Sequence, residues 1–343
     1  MSGLSRSIHL TVHIHKDPAA MAERAAHILA AACEEAVAER GVFKIALSGG
    51  QTPIPLFRLL SGRDWADRLP WDKMTFFWVD ERCVSPEHQD SNYGLARREL
   101  LGHVPATHFF RMRGEEDPVE AARKYEQLLR TDFSLGPQDL PRFDFMLLGM
   151  GEDGHTGSIF PNSPALAERK RLVIDQYVPE RKADRLTLTL PVINNARCCM
   201  FLVTGGEKHD VLSRALNLLA QPTLPAQMVR PGFGDLIWVV DEAARHGRVA
   251  SLPHKNNGRG RNRPLPAPTL AQPFWPTSLA NPFGPVASYG PTAGAGQCRP
   301  VQRNRAGRLL PAATQRPPGL QSPHTQTAQQ DLGGRTAFQI QKK

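Results

Sequence analysis

The sequence predicts an α/β domain over residues 1–250 of the 343-residue chain, a doubly wound, mainly parallel sheet flanked by helices, followed by a disordered tail over 251–343. Three observations carry this expectation. Short, nearly unbroken apolar runs alternate with longer segments of helical period, the pattern of consecutive βαβ units. Several of these runs empty into loops of glycine or charge, and parallel strands place such loops together along one rim. Beyond Ser251 both periodicities vanish, and 14 of the chain's 30 prolines fall in the last 93 residues.

Ile8 to His15 alternates apolar and polar residues as a half-buried strand does, with His9, His13 and His15 on the outward face near a sheet edge. No other ligand chemistry lies nearby in sequence, so this row reads as a solvated strand face and not as a metal site. Asp17 is a suitable N-cap with Pro18 in the first helical position, and the alanine-rich helix that follows stops at Gly41. Val42 to Leu47 is a second strand. It ends in Ser48-Gly-Gly-Gln-Thr-Pro53 before the apolar-periodic segment Ile54 to Leu60. Free backbone N–H groups at a helix start, with a hydroxyl beside them, suit phosphate, although the lysine of a Walker loop is missing.

Met74 to Val79 is the third strand, and it delivers Asp80-Glu81-Arg82 to its carboxyl end, where three charges must be solvated, paired or used. Tyr93 to Leu101 and Glu120 to Arg130 read as helices. Phe143 to Leu148 is a buried strand that opens into Gly-Met-Gly-Glu-Asp-Gly-His-Thr-Gly-Ser-Ile-Phe-Pro161. Gly149, Gly151 and Gly154, with Asp175 about 20 residues on, match a dinucleotide fingerprint in spacing. Pro161 and Pro164 would break the helix which that fingerprint requires, so we read the match as a decoy. Arg171 to Gln176 and Arg185 to Leu190 read as short strands. Cys198 to Val203 is a strongly apolar one that ends in Thr204-Gly-Gly-Glu-Lys208 and a helix from Asp210 to Ala220. Leu236 to Val240 and a short helix fading near Ala250 complete the domain.

The formal charge of +9 belongs to the tail: residues 251–343 hold 12 Lys/Arg and one acid, against 30 basic and 32 acidic residues before them. A nucleic-acid or partner-binding arm fits that composition, as does an alternative reading frame or splice-derived end with no selected role. Five cysteines without a C-x-x-C pair or ligand spacing argue against a zinc site and a disulfide framework, which suits a reducing cytoplasm. No run of 18 apolar residues and no export signal are present.

Taken together, Ser48-Gly-Gly-Gln-Thr-Pro53, Asp80-Glu-Arg-Cys-Val84 with Asp90-Ser-Asn92, the loop from Leu148 to Pro161, and Arg185-Leu-Thr-Leu-Thr189 with Gly205-Gly-Glu-Lys208 resemble the 6-phosphogluconolactonase family. These are pentose phosphate pathway enzymes that share a fold with glucosamine-6-phosphate deaminases. The resemblance covers about residues 8–250; Gly157 stands where alanine is common, a change expected to matter little sterically, and the tail has no counterpart. It implies that Ser48, Gly49, Gly50, Arg185 and Lys208 hold a substrate phosphate. It also implies that His155 is the base which activates water, that Arg82 meets the oxyanion or sugar hydroxyls, and that Asp80 or Asp153 orients the histidine. A structural pairing of Asp80 or Glu81 with Arg82 is the plainer alternative for that triplet. The substrate would be 6-phosphoglucono-δ-lactone, with no metal and no cofactor, since water is the nucleophile. Arg82 after the aspartate-glutamate pair, and Ser158-Ile-Phe-Pro161 after the histidine, depart from what deaminases of the superfamily carry there. A deaminase-isomerase and a non-catalytic sugar-phosphate-binding protein remain the other readings.

Overall fold

The computed structural model describes residues 9–217 and 221–247. The expected disordered tail and the boundary near residue 250 lie outside these residues, while the last two helices end at Leu216 and His246, short of the expected Ala220 and Ala250, with Asn217 and Gly247 as their caps. Ten strands and eight α-helices are described. In chain order they are β1 (His9–His15), α1 (Pro18–Arg40), β2 (Phe43–Leu47), α2 (Ile54–Ser61), α3 (Arg63–Ala66), β3 (Met74–Trp78), β4 (Asp80–Arg82), α4 (Asn92–Ala96), β5 (His108–Phe109), α5 (Pro118–Asp132), β6 (Phe145–Gly149), β7 (Val173–Val178), β8 (Ala183–Leu188), α6 (Leu190–Ile193), β9 (Cys198–Val203), α7 (His209–Leu216), β10 (Asp235–Asp241) and α8 (Glu242–His246).

Seven strands form one parallel sheet in the order β1-β10-β9-β6-β2-β3-β5. From β2 the chain moves outward through β3 to β5; it then returns to the other side of β2 and moves the opposite way through β6, β9 and β10. This is the doubly wound arrangement expected from the sequence, and its direction reverses between β2 and β6. The central strands are buried along their length, as continuous apolar runs such as Met74-Thr-Phe-Phe-Trp78 require. Phe201 and Trp238 stack across β9 and β10 with centroids 4.0 Å apart, a pairing that contributes about 0.5–1.5 kcal/mol beyond area burial.

The first helix forms as its ends dictate. Asp17 accepts a hydrogen bond from Ala20 N at 2.8 Å, Pro18 fills the first position, and Gly41 closes the helix with φ 74°.

Three expectations change. The run Asp80-Glu-Arg is not a loop but strand β4, part of a second, antiparallel sheet of order β4-β8-β7. Val79 is the joint between the sheets: its N–H donates to Leu47 O at 2.9 Å while its carbonyl accepts from Leu188 N at 2.8 Å. The helix expected to run from Tyr93 to Leu101 is α4 followed by a π-type turn over Arg97–Leu101. Nor is the histidine row simply solvated, although β1 does lie at the sheet edge. His13 and His15 are partly buried, His13 lies 3.4 Å from an Arg24 nitrogen, and burial, then the charge of Arg24, pushes the His13 imidazole down to about 4.

Tyr125, buried on α5, ties helix to sheet: its hydroxyl accepts from Trp78 N at 3.0 Å and faces Phe110 O at 3.3 Å. Tyr125→Phe leaves a buried N–H at the end of β3 without its partner. We expect a loss of about 1–3 kcal/mol, read as a lower urea midpoint at unchanged m-value.

Candidate active site

Parallel strands β2 and β6 are neighbours whose following connections diverge, and a crevice opens outside their carboxyl ends. Here it is a cavity of about 910 Å³ walled by the loops after β2, β6 and β9 and by strands β4 and β8. Every residue expected to contribute to a site, Ser48, Gly49, Gly50, Asp80, Arg82, Asp153, His155, Arg185 and Lys208, lines it.

The loop after β2 carries Ser48-Gly-Gly toward α2. A Cβ on Gly49 would fall 1.9 Å from Asn92 Oδ1, so glycine is needed there for the Asn92 side chain to pack in. The hydroxyl of Ser48 is buried without a hydrogen-bond partner among the described residues.

The loop after β6 holds the histidine. The Nδ1 atom of His155 lies 2.6 Å from Asp153 Oδ1, and the same oxygen accepts from His155 N at 3.1 Å. Burial alone would raise the Asp153 carboxyl, but the hydrogen bond and charge of His155, with backbone donors, outweigh it and hold it down to about 2. A carboxylate only accepts, so Nδ1 carries the proton of this contact and Nε2 is the nitrogen not engaged by Asp153. With the folded value below the ordinary 3.8, this contact stabilises the fold above that pH and loses its contribution as pH falls toward 2. Phe160 stacks on the ring, centroids 4.3 Å apart. Asp153, not Asp80, is therefore the carboxylate that contacts the imidazole: an Asp80 oxygen accepts from Ser158 Oγ at 2.8 Å instead.

The expectation that alanine at 157 would change little does not hold in this loop. Gly157 has φ 54°, and a Cβ there would meet Val79 Cγ1 at 3.1 Å and Thr187 Oγ1 at 3.2 Å, so the neighbours would have to give way.

On the small sheet Arg82 and Arg185 are register partners on neighbouring strands. Arg82 donates to Asp90 O at 2.6 Å, while the Arg185 guanidinium has no hydrogen bond or ion pair among the described residues. Burial, then the charge of Arg82, lowers the pKa of Arg185, with Asp80 opposing. Two guanidiniums opposed across a ladder repel unless an anion lies between them. The plainer alternative, a salt bridge from Asp80 or Glu81 to Arg82, is not formed. The Glu81 carboxylate instead accepts from the N–H groups of Arg82, Asn92 and Tyr93 and from Ser91 Oγ. Burial holds its pKa above the ordinary value, and the three backbone donors offset that rise only in part. Lys208, just before α7, donates to Met150 O at 2.5 Å and so ties the loop after β9 to the histidine loop.

Asn92, Ser158 and Arg181 also line the cavity, and sequence assigned none of them a place in the site. Asp90-Ser-Asn92 was part of the family resemblance, which was the available signal for Asn92. Ser158 lay in the histidine-loop motif of that resemblance, while Arg181, in the turn between β7 and β8, had no signal.

Residues 16–238 match the family model described as glucosamine-6-phosphate isomerases/6-phosphogluconolactonase. The chain belongs to this family. A 6-phosphogluconolactonase of Nostoc sp. is 38% identical over 239 residues, spanning 68% of this chain and 96% of its own. One from Synechocystis sp. is 41% identical over 227 residues, 65% of this chain and 91% of that protein. Among solved structures, the 6-phosphogluconolactonase from Trypanosoma brucei superposes with a TM-score of 0.63 at 28% identity, over 69% of this chain and 98% of that one. A monomeric glucosamine-6-phosphate deaminase, 20% identical with a TM-score of 0.57, shares the fold. The match to the glucosamine-6-phosphate isomerase/6-phosphogluconolactonase family begins just after β1 and ends within β10, so it covers strands β2 to β9, the small sheet among them, and the whole cavity wall.

The hydrogen-bonded imidazole has a steric test. A Cβ on Gly151 would lie 2.1 Å from His155 Nδ1 and 2.6 Å from Asp153 Oδ1. Gly151→Ala should abolish the downfield Nδ1–H proton resonance of His155 while leaving the far-UV circular dichroism unchanged.

Proposed function

We propose that this chain hydrolyses 6-phosphoglucono-δ-lactone to 6-phosphogluconate, with His155 as the base that activates water. The observation that carries this reading is one cavity holding both a carboxylate-oriented imidazole and an unneutralised arginine pair. The substrate needs both, because it has a reactive ester at one end and a dianionic phosphate at the other.

His155 Nε2 takes a proton from water as the water oxygen bonds to the lactone carbonyl carbon, and the carbonyl becomes a tetrahedral oxyanion. When that intermediate collapses, the bond from the carbonyl carbon to the ring oxygen breaks, and the imidazolium returns its proton to this oxygen. Asp153 stays ionised throughout, holding the ring by Nδ1 and favouring the imidazolium that forms between the two transfers. Arg185, Lys208 and the backbone of Ser48-Gly49-Gly50 hold the phosphate. We assign Arg82 to the same anion as Arg185, because the two face each other across the ladder. The chemistry asks for no cofactor. None of the described helices is long and apolar enough to cross a membrane; we place the enzyme in the cytoplasm, its activity within residues 1–250, and assign the basic tail no part in catalysis.

Freshly generated 6-phosphogluconolactone and glucosamine 6-phosphate, supplied separately, test the assignment. We expect accelerated lactone opening above the spontaneous rate and no ammonia from the amino sugar. Ammonia without lactonase activity would make the chain a deaminase; neither activity, with 6-phosphogluconate still bound, would make it a binding protein. His155→Asn should lower kcat by about 10²- to 10⁴-fold with affinity for 6-phosphogluconate kept. Lys208→Ala should instead raise KM, and lower kcat only as far as phosphate binding positions the carbonyl.

A further inference from the structure

The histidine loop is rich in glycine, and a base on such a loop holds its place only where the loop is tied down. From outside, Lys208 Nζ reaches Met150 O, and Ala226 N donates to Gly154 O at 3.0 Å, both before the histidine. After it, Ser158 is held by all three strands of the small sheet. Its N–H donates to Thr187 Oγ1 on β8 at 3.2 Å, its hydroxyl donates to Asp80 Oδ2 on β4 at 2.8 Å, and its carbonyl accepts from Gln176 Nε2 on β7. All four residues are buried, Ser158 at 2% exposure and Thr187 at 0%.

The register of that sheet connects these bonds to the arginines. Asp80 pairs with Thr187 and Thr187 with Ile174; two residues along, Arg82 pairs with Arg185 and Arg185 with Gln176. Register partners share a face, and so do residues two apart in one strand. One face of the small sheet therefore carries the arginine pair in one row and the acceptors of Ser158 in the next, a step of about 6.5 Å along the strand. Gln176 belongs to the arginine row yet reaches back to the Ser158 carbonyl, and it is not part of the cavity wall.

We propose that Ser158 and Gln176 are positioning residues that fix the distance between the base and the anion cradle, with the small sheet as the ruler. This rests on the reading of His155 as the base. A lactone anchored by its phosphate presents its carbonyl at a set distance from the arginines. An imidazole on a loop free to swing by 1 Å would meet that carbon out of line. Neither side chain needs to touch substrate for this effect.

The test uses full-length Ser158→Ala and Gln176→Leu, the second replacing an amide donor by an apolar side chain of similar size remote from the cavity. Each should lower kcat by about 10- to 100-fold, leave the dissociation constant for 6-phosphogluconate within about twofold of wild type, and keep a cooperative unfolding transition. The Nδ1–H resonance of His155 should broaden in both, a readout that needs no turnover. Unchanged kcat and an unchanged resonance in a folded variant would overturn the proposal. So would a parallel loss of affinity and kcat, because the pair would then be supporting the cradle or the fold and not the distance. If wild type opens no lactone, the functional reading fails, while the resonance still decides whether these residues hold the ring.

Discussion

An all-parallel sheet has no choice about where its loops go: every strand ends on the same edge, and a winding that reverses must leave two neighbouring connections pointing apart. In this chain the reversal falls between β2 and β6, and the two loops that part there are Ser48-Gly-Gly and the histidine loop. The rest of the site follows from that opening. Backbone hydrogen bonds and side-chain burial along the seven strands hold the edge rigid. The loops can then spend residues on glycine, charge and a stacked imidazole that would not pack in a core.

The small antiparallel sheet completes what the large one leaves open. It begins where Val79 leaves the parallel ladder for Leu188, so its position is set by hydrogen bonds to both sheets. Its charges are arranged against ordinary expectation. Glu81, which has a cation next to it in sequence, is buried among backbone donors that hold the loop from Arg82 to Tyr93 in place. Arg82 and Arg185 are left facing each other, with burial already disfavouring the charge on Arg185. On the proposed reading, a dianionic phosphate would remove that repulsion. Asp153 works in the opposite sense, a carboxylate kept ionised by the ring it orients.

Much of this was legible in sequence because it is local. The caps of α1 act within one turn, and strands such as Cys198–Val203 announce themselves by unbroken burial. Glycine and charge after a strand mark a rim whatever the order of strands. What was missed is long-range or very short. Three charged residues do not read as a strand, and β4 exists only because Leu186 and its neighbours lie alongside it. His13 reads as solvated by its period, but the helix bearing Arg24 covers it. Gly157 looked replaceable until Val79 and Thr187 were found against it.

The sequence by itself determined the fold class, the helix ends, the rim loops and a motif set whose order points to one family, because these depend on period, propensity and residue type. It left open which carboxylate contacts the histidine and whether Arg82 pairs with its acidic neighbours. The packed structure shows both contacts. Asp153 takes the imidazole because a two-residue turn brings its oxygen to Nδ1, and Asp80 goes to Ser158 across 78 positions of chain. Arg82 meets Arg185 because antiparallel register sets them side by side. Register and a contact across 78 positions are properties of the whole packed chain, and no window of sequence contains them.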